Sequence, residues 1–136
     1  MTLSHSDVAV LVTQMAASVF FSILFLQSGI DKVADFKGNL DWLKGHFAKS
    51  VLGSFVPVLL ATLTVIELAA GALSALGCLF ILMGNGPLLA AYGAAASTLA
   101  LLALFFGQRL AKDYAGAASL VPYFIVALVN LYLTHL

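Results

Sequence analysis

One acidic residue, Glu67, interrupts an apolar stretch that runs from Val51 to Met83. A carboxylate at the centre of a membrane helix costs about 2.5–3.5 kcal/mol, which makes such a residue a candidate functional group. Because the sequence shows no cationic neighbour, we expect burial to favour the neutral acid over the carboxylate. The chemistry open to Glu67 is proton exchange, with Glu67 as a candidate catalytic proton acceptor, or a hydrogen bond that holds helices in register.

A polar residue at a similar depth, Asn130, is the predicted partner of Glu67. Glu67 follows Ser54 by 13 positions and Asn130 follows Gly116 by 14, and we expect both stretches to start at the same membrane face. At about 1.5 Å per residue, each side chain lies roughly 20 Å along its helix. We therefore predict a hydrogen bond between Glu67 and Asn130, and Asn130 and Tyr123 are candidate ligand-binding residues.

Two basic residues, Lys32 and Arg109, are the other candidate ligand-binding side chains. They flank the apolar stretches on one predicted membrane face, where they could receive an anion, a lipid headgroup or a quinone carbonyl. The alternative is that they only set the topology, because short cytoplasmic loops of membrane proteins are generally basic. In that case Arg109 and Asp113, spaced four residues apart, form an interfacial ion pair on a helical turn.

The composition places these residues in a membrane protein. Of 136 residues, 62% are hydrophobic and 9% are charged, and the formal net charge is +0. Soluble domains carry roughly 25% charged residues, so a water-soluble globule is excluded. The charge balance gives no reason to expect nucleic acid as a partner.

Cysteine and histidine content restricts the cofactors that this chain is expected to bind. Cys78 is the only cysteine, which excludes an internal disulfide, a dithiol redox pair and a cysteine zinc site. The three histidines, His5, His46 and His135, lie near predicted helix ends, so no opposed pair is expected to hold a haem. We therefore expect no covalent cofactor, no haem and no metal.

Four apolar stretches are long enough to cross a bilayer, which takes about 20 residues. These predicted spans cover residues 8–30, 54–83, 87–106 and 115–136. Small and polar residues recur on one face of each span, which is typical of helices that pack against other helices. The sequence therefore predicts an all-α membrane protein, a bundle of four transmembrane helices that forms a single domain over residues 1–136.

The first loop, residues 31–50, is predicted to contain a short amphipathic helix between transmembrane helices 1 and 2. Its apolar residues repeat at spacings of three and four: Val33, Phe36, Leu40, Leu43 and Phe47. Lysines and aspartates occupy the other side, a pattern typical of a helix that lies in the membrane interface. The alternative is a surface helix that only connects the two spans.

The basic residues also predict the orientation of the bundle. All six Lys and Arg residues lie in loops 31–50 and 107–114, which share one membrane face, and none lies on the opposite face. The positive-inside rule makes the basic face cytoplasmic. We therefore expect a multi-pass protein with both termini on the other side of the membrane.

Three motifs resemble the DoxX family of small four-helix membrane proteins. The first two are Ser28-Gly29-x-x-Lys32 with Asp35-Phe36-x-Gly38, and Glu67-x-x-x-Gly71. The third extends from Tyr92-Gly93 to the run Gly107-Gln108-Arg109-x-Ala111-Lys112-Asp113-Tyr114-Ala115-Gly116-Ala117-Ala118-Ser119-Leu120-Val121-Pro122-Tyr123. The resemblance covers most of the chain. It implies the bacterial inner membrane, hence periplasmic termini, and a link to oxidoreductase systems, because relatives include a small membrane subunit of a thiosulfate:quinone oxidoreductase.

The resemblance and the buried acid together predict an accessory integral-membrane subunit of a quinone-linked oxidoreductase or respiratory complex, not catalytic alone. Such a subunit would contact the lipid bilayer, anchor membrane or peripheral redox subunits, and line a quinol or proton site around Glu67, with quinone as a candidate cofactor. A purely structural membrane subunit is the alternative. A self-contained quinone-reducing enzyme is less favoured, because Cys78 alone cannot form a dithiol.

Overall fold

The computed structural model describes residues 4–135 of the chain. Six helices and one short 3-10 turn (Gly53–Phe55) form in this described part, which contains no strand. In chain order the helices are α1 (His5–Ala34), α2 (Phe36–His46), α3 (Val56–Leu82), α4 (Leu88–Leu110), α5 (Tyr114–Ser119) and α6 (Val121–His135). The predicted all-α fold class is confirmed.

Four segments of the described chain are long and apolar enough to cross a membrane. They are His5–Ala34, Gly53–Leu82, Leu88–Leu110 and Tyr114–His135, which confirms the four predicted spans. The last predicted span runs to Leu136, which lies outside the described residues. The chain is therefore a multi-pass membrane protein whose outward apolar faces contact the lipid bilayer.

The first helix, α1, is longer than the predicted first span at both ends. Ser4 caps its start by accepting a hydrogen bond from the Asp7 backbone N–H at 3.2 Å, and the Asp7 carboxylate bonds back to Ser4. This capping box satisfies backbone donors that are otherwise free at a helix start. At the other end the helix continues through Asp31 and Lys32 to Ala34, so Lys32 lies on the helix and not in a loop.

The fourth span consists of two helices, because the chain breaks its helical path between them. α5 ends at Ser119 and α6 begins at Val121, so Leu120 separates the two helices. Pro122 follows at the second position of α6, where its missing N–H does little harm. The same proline cannot extend the hydrogen-bond ladder of α5, which explains why the break lies here.

The centre of the bundle is the pair α3 and α4. α3 packs against α1, α4 packs against α6, and α1 also touches α6 to close the bundle. The core contains two stacked aromatic rings of α1, Phe21 and Phe25, with centroids 5.8 Å apart. Small residues of the other helices surround these rings: Ala70, Ala100 and Ala127.

Glycines let α3 approach its two neighbours at backbone distance. A Cβ atom on Gly93 of α4 would lie 2.7 Å from the backbone nitrogen of Ser74 on α3. A Cβ atom on Gly71 of α3 would lie 2.8 Å from the backbone nitrogen of Leu26 on α1. Such close approach is typical of membrane helices, which associate through small residues, and it determines the packing around Glu67.

The short helix α2 follows α1 almost directly and confirms the helix predicted between the first two spans. Asp35 separates the two helices and caps α2 by accepting a hydrogen bond from the Gly38 backbone N–H at 3.2 Å. Trp42, Leu43 and Phe47 line a groove against α3 and α4. Trp42 lies at its edge and is 63% exposed. α2 therefore covers one end of the bundle with its apolar side.

We expect Gly93→Ala to destabilise the purified protein by about 1–3 kcal/mol, because the added methyl group forces α3 and α4 apart. Gly45→Ala is the matched control, since nothing lies within 4 Å of a Cβ atom at that exposed position of α2. Thermal unfolding in mild detergent, followed by circular dichroism, measures both variants. Equal melting temperatures for the two variants would contradict the close packing.

Candidate functional site

Glu67 lies on α3 inside the bundle, with 1% of its surface exposed. Two groups of α1 contact its Oε2 atom: the Ser28 hydroxyl donates a hydrogen bond at 2.7 Å, and the Lys32 ammonium group lies 3.1 Å away. Lys32 also donates to Ser28 Oγ at 2.6 Å. The candidate functional site is this three-residue cluster, Ser28–Lys32–Glu67, which joins α1 to α3.

The helical spacing of α1 builds the cluster. Ser28 and Lys32 are four residues apart, so their side chains are neighbours on one face of the helix. A Cβ atom on the intervening Gly29 would collide with the side chain of Leu68 on α3, so this glycine lets α3 come close. Ser28 was not a predicted site residue, although its spacing from Lys32, opposite a buried acid, is a signal that could have found it.

The expectation that Glu67 has no cationic neighbour is wrong. It placed Lys32 in a loop, whereas Lys32 lies in the last turn of α1 and its side chain, 16% exposed, reaches the Glu67 carboxylate. Their attraction and the Ser28 hydrogen bond compensate part of the cost of removing both charges from water. The geometry is therefore that of a buried ion pair and not of an isolated neutral acid.

The predicted hydrogen bond between Glu67 and Asn130 does not form. Asn130 lies on α6 and is 1% exposed, and within residues 4–135 neither atom of its side-chain amide has a hydrogen-bond partner. The reason is that α6 packs against α4 and α1, whereas Glu67 bonds to α1 from α3. Tyr123 is also outside the cluster, because its side chain is 37% exposed and its ring lies 5.8 Å from that of Phe20.

The predicted ion pair between Arg109 and Asp113 does not form either. Arg109 Cζ lies 4.6 Å from the centre of the Tyr114 ring, which is a cation–π geometry. Asp113 instead caps α5 by accepting a hydrogen bond from the Gly116 backbone N–H at 2.9 Å. The cause is a break in the helix, since α4 ends before Lys112, whose φ of 60° lies in the left-handed region.

A second polar cluster joins the end of α2 to the junction of α4 and α5. His46 Nε2 lies 2.9 Å from Gln108 Oε1 and 3.8 Å from Asp113 Oδ2. The Trp42 and His46 rings are stacked, with centroids 4.7 Å apart. None of His46, Gln108 and Trp42 was a predicted site residue. The spacing of four between Trp42 and His46 on an amphipathic helix is the one local signal that links two of them.

The Ser28–Lys32–Glu67 cluster and the His46–Gln108 cluster are the candidate functional groups of the described residues. Within residues 4–135, no set of three or more His, Cys, Asp or Glu side chains is arranged to hold a metal ion. No family model, no curated protein and no solved structure matches the chain. The resemblance to the DoxX family therefore stays a prediction from the motifs.

Replacing Lys32 by Met should destabilise the protein by about 3 kcal/mol, because Glu67 then stays buried without its counter-charge. The double variant Lys32→Met, Glu67→Gln should recover much of this loss, since Gln removes the unpaired charge and still accepts the Ser28 hydrogen bond. Lys37→Met, at an exposed position of α2, is the control for loss of a surface lysine. Unfolding by denaturing detergent measures all three variants, and additive effects of the two substitutions would show that the side chains do not interact.

Proposed function

We propose that this chain is an accessory integral-membrane subunit of a quinone-linked oxidoreductase or respiratory complex. In this proposal it anchors redox partners in the membrane, and the Ser28–Lys32–Glu67 cluster handles the protons that quinone chemistry takes up or releases. The observation that carries the proposal is the ion pair between Lys32 and Glu67 at 3.1 Å inside an apolar bundle. Ionisable residues inside membrane helices are rare, and they mark proton relays and substrate pathways in many membrane proteins.

The cluster has the properties that a proton acceptor needs. In this proposal Glu67 takes up a proton when the ammonium group of Lys32 moves away from its carboxylate. Lys32 is the partly exposed member of the cluster and Glu67 the enclosed one, and the Ser28 hydroxyl bonds to both. The three groups thus form a short hydrogen-bonded chain between the end of α1 and the interior of the bundle.

The accessory role is proposed because the chain has no pair of cysteines that could carry electrons. Oxidation or reduction of a quinone needs a partner that supplies or accepts electrons. The chain has a single cysteine, Cys78, so it cannot cycle between a dithiol and a disulfide. In the proposed complex another subunit carries the electrons, and this chain provides the membrane attachment and the proton site.

The resemblance to the DoxX family supports the same proposal and its location. It favours the bacterial inner membrane, and the basic segments 31–50 and 107–114 favour a cytoplasmic position for the end of the bundle that bears the cluster. In that orientation both termini are periplasmic. Proton exchange through Lys32 is then with the cytoplasm.

A second candidate function is that of a purely structural membrane subunit. It is favoured by the way the cluster ties α1 to α3 next to the glycine contact of Gly71 with Leu26. In this alternative the ion pair determines the register of two helices and exchanges no proton. The two candidate functions predict different turnover for a variant that removes the charge of Glu67 and keeps its hydrogen bond to Ser28.

Glu67→Gln should lower quinone-dependent turnover of the assembled complex about a hundredfold, the contribution typical of a positioned acid–base group. Asp31→Asn, at an exposed position near the end of α1, is the matched control and should leave turnover unchanged. The measurement compares quinone reduction in membranes that contain equal amounts of assembled complex. Normal turnover with Glu67→Gln would support the structural subunit and contradict proton handling.

The partner itself is tested by purification of the tagged chain in mild detergent, with analysis of bound protein and extracted quinone. We expect a redox subunit and quinone to purify with the wild-type chain. Repeated recovery of the chain alone, without quinone, would contradict the assignment to a quinone-linked complex.

A further inference from the structure

A groove lies on the outer surface of the bundle, where α4 faces the break between α5 and α6. Its volume is about 200 Å³, and six apolar side chains line it: Leu101, Leu102, Phe105, Leu120, Val121 and Phe124. α4 packs against both α5 and α6, and the groove follows the change of path at Leu120. Leu102 and Val121 are 52% and 44% exposed, so the groove opens towards the bilayer.

A cation–π pair, Arg109 with Tyr114, lies beyond the groove at the basic end of the bundle. Arg109 follows Leu102 by seven residues and Phe105 by four, so it lies on the same face of α4, about 6 Å beyond Phe105. Tyr114 begins α5 and precedes Val121 by seven residues. Arg109 Cζ lies 4.6 Å from the centre of the Tyr114 ring. The helices that border the groove are thus joined at one end by a positively charged contact.

The two basic residues at this end, Arg109 and Lys112, are exposed and take part in no ion pair within residues 4–135. Asp113 is next to Lys112 in the sequence, but both of its carboxylate oxygens have other neighbours. Oδ1 accepts a hydrogen bond from the Gly116 backbone N–H at 2.9 Å, and Oδ2 lies 3.8 Å from His46 Nε2. A guanidinium group carries five N–H donors and binds phosphate oxygens in a bidentate manner. This end of the groove therefore favours an anion.

Shape and charge together select the kind of molecule that fits this surface. The side chains that line the groove are all apolar, so the part of a ligand that lies in it is a hydrocarbon chain. The anionic part has to lie beyond the groove, at the membrane surface, where basic residues attract anionic headgroups. A phospholipid with a net negative headgroup has its chain and its phosphate in this arrangement. Basic residues that only set the topology need neither a groove nor an aromatic partner.

We infer that this surface is a binding site for one anionic phospholipid, with an acyl chain in the groove and the phosphate bound by Arg109 and Lys112. Tyr114 is a positioning residue, because its ring holds the guanidinium group of Arg109 at the end of the groove. The bound lipid would connect α4 to the joint between α5 and α6. The inference is independent of the proposed function, since it uses neither the Ser28–Lys32–Glu67 cluster nor a redox partner.

Native mass spectrometry of the full chain in mild detergent tests this site. The protein is mixed with equal concentrations of phosphatidylglycerol, which is anionic, and phosphatidylcholine, which is zwitterionic, with the same acyl chains. We expect the first bound lipid to be phosphatidylglycerol, favoured about tenfold, the effect of one charge-assisted hydrogen bond. Equal retention of the two lipids by the wild-type chain would overturn the inference.

Charge variants separate a site from a general attraction to the basic face. Arg109→Gln should weaken phosphatidylglycerol binding about tenfold, because it removes the charged donor and keeps a side chain of similar reach. Lys44→Gln removes the same charge at an exposed position of α2 and should leave the binding unchanged. An equal loss in the two variants would show that only the total charge matters, and it would overturn the inference.

The role of the groove is tested by a variant that keeps every charge. Val121→Phe adds bulk in the groove and should weaken phosphatidylglycerol binding about tenfold, the effect of displacing about two methylene groups of the chain. Val129→Phe adds the same bulk at an exposed position of α6 outside the groove and should have no effect. Wild-type binding by Val121→Phe would overturn the inference.

Competition with a soluble phosphate distinguishes a lipid from a free anion. Glycerol phosphate carries the phosphate without acyl chains, and an excess of about tenfold should not displace bound phosphatidylglycerol. Displacement would show a phosphate site that does not use the groove, and it would overturn the inference.

Discussion

A carboxylate enclosed by apolar helices needs a counter-charge, and the position of Lys32 next to Glu67 meets this need. Other features of the bundle follow from it. α1 has to continue to Ala34 so that Lys32 is on a helix, and Gly29 and Gly71 have to stay small so that α3 can come close. Removing ions from water is costly, and only excellent geometry with added hydrogen bonds compensates for it. The Ser28 hydroxyl provides that added bond.

Towards the turn between α3 and α4, the polar side chains buried in the bundle are neutral and not charged. Ser74 and Asn130 are buried there, and their side chains, with that of Ser18 on α1, have no hydrogen-bond partner within the described residues. Unpaired neutral groups of this kind are tolerated in proteins where ordered water can reach them. The interior thus contains one charged pair and, apart from it, neutral polar groups without a partner among the described residues.

Apolar length and helical periodicity were sufficient to predict the four spans, the short helix α2 and the burial of Glu67. They were not sufficient to predict which polar groups meet. Counting residues gave Glu67 and Asn130 similar depths, but Glu67 contacts the end of α1 whereas Leu133, three residues after Asn130, accepts a hydrogen bond from Gln14 near its start. The count also leaves the rotation of each helix open, and α6 lies against α4 and α1. The pairing of Arg109 with Asp113 failed for a local reason, the left-handed backbone at Lys112, which a spacing rule for continuous helices does not include. Lys32 was predicted to lie in a loop because it is charged, whereas it belongs to the last turn of α1.

A single residue, Asp35, separates α1 from α2, and this connection has a mechanical consequence. Lys32 lies one turn before that joint, and His46 forms the far end of the 11-residue helix that follows it. With only Asp35 between the two helices, no loop is available to absorb a rotation of α2 relative to α1. A ligand that displaced His46 from Gln108 is therefore expected to alter the Lys32–Glu67 pair as well, and any such coupling of binding free energies is reciprocal.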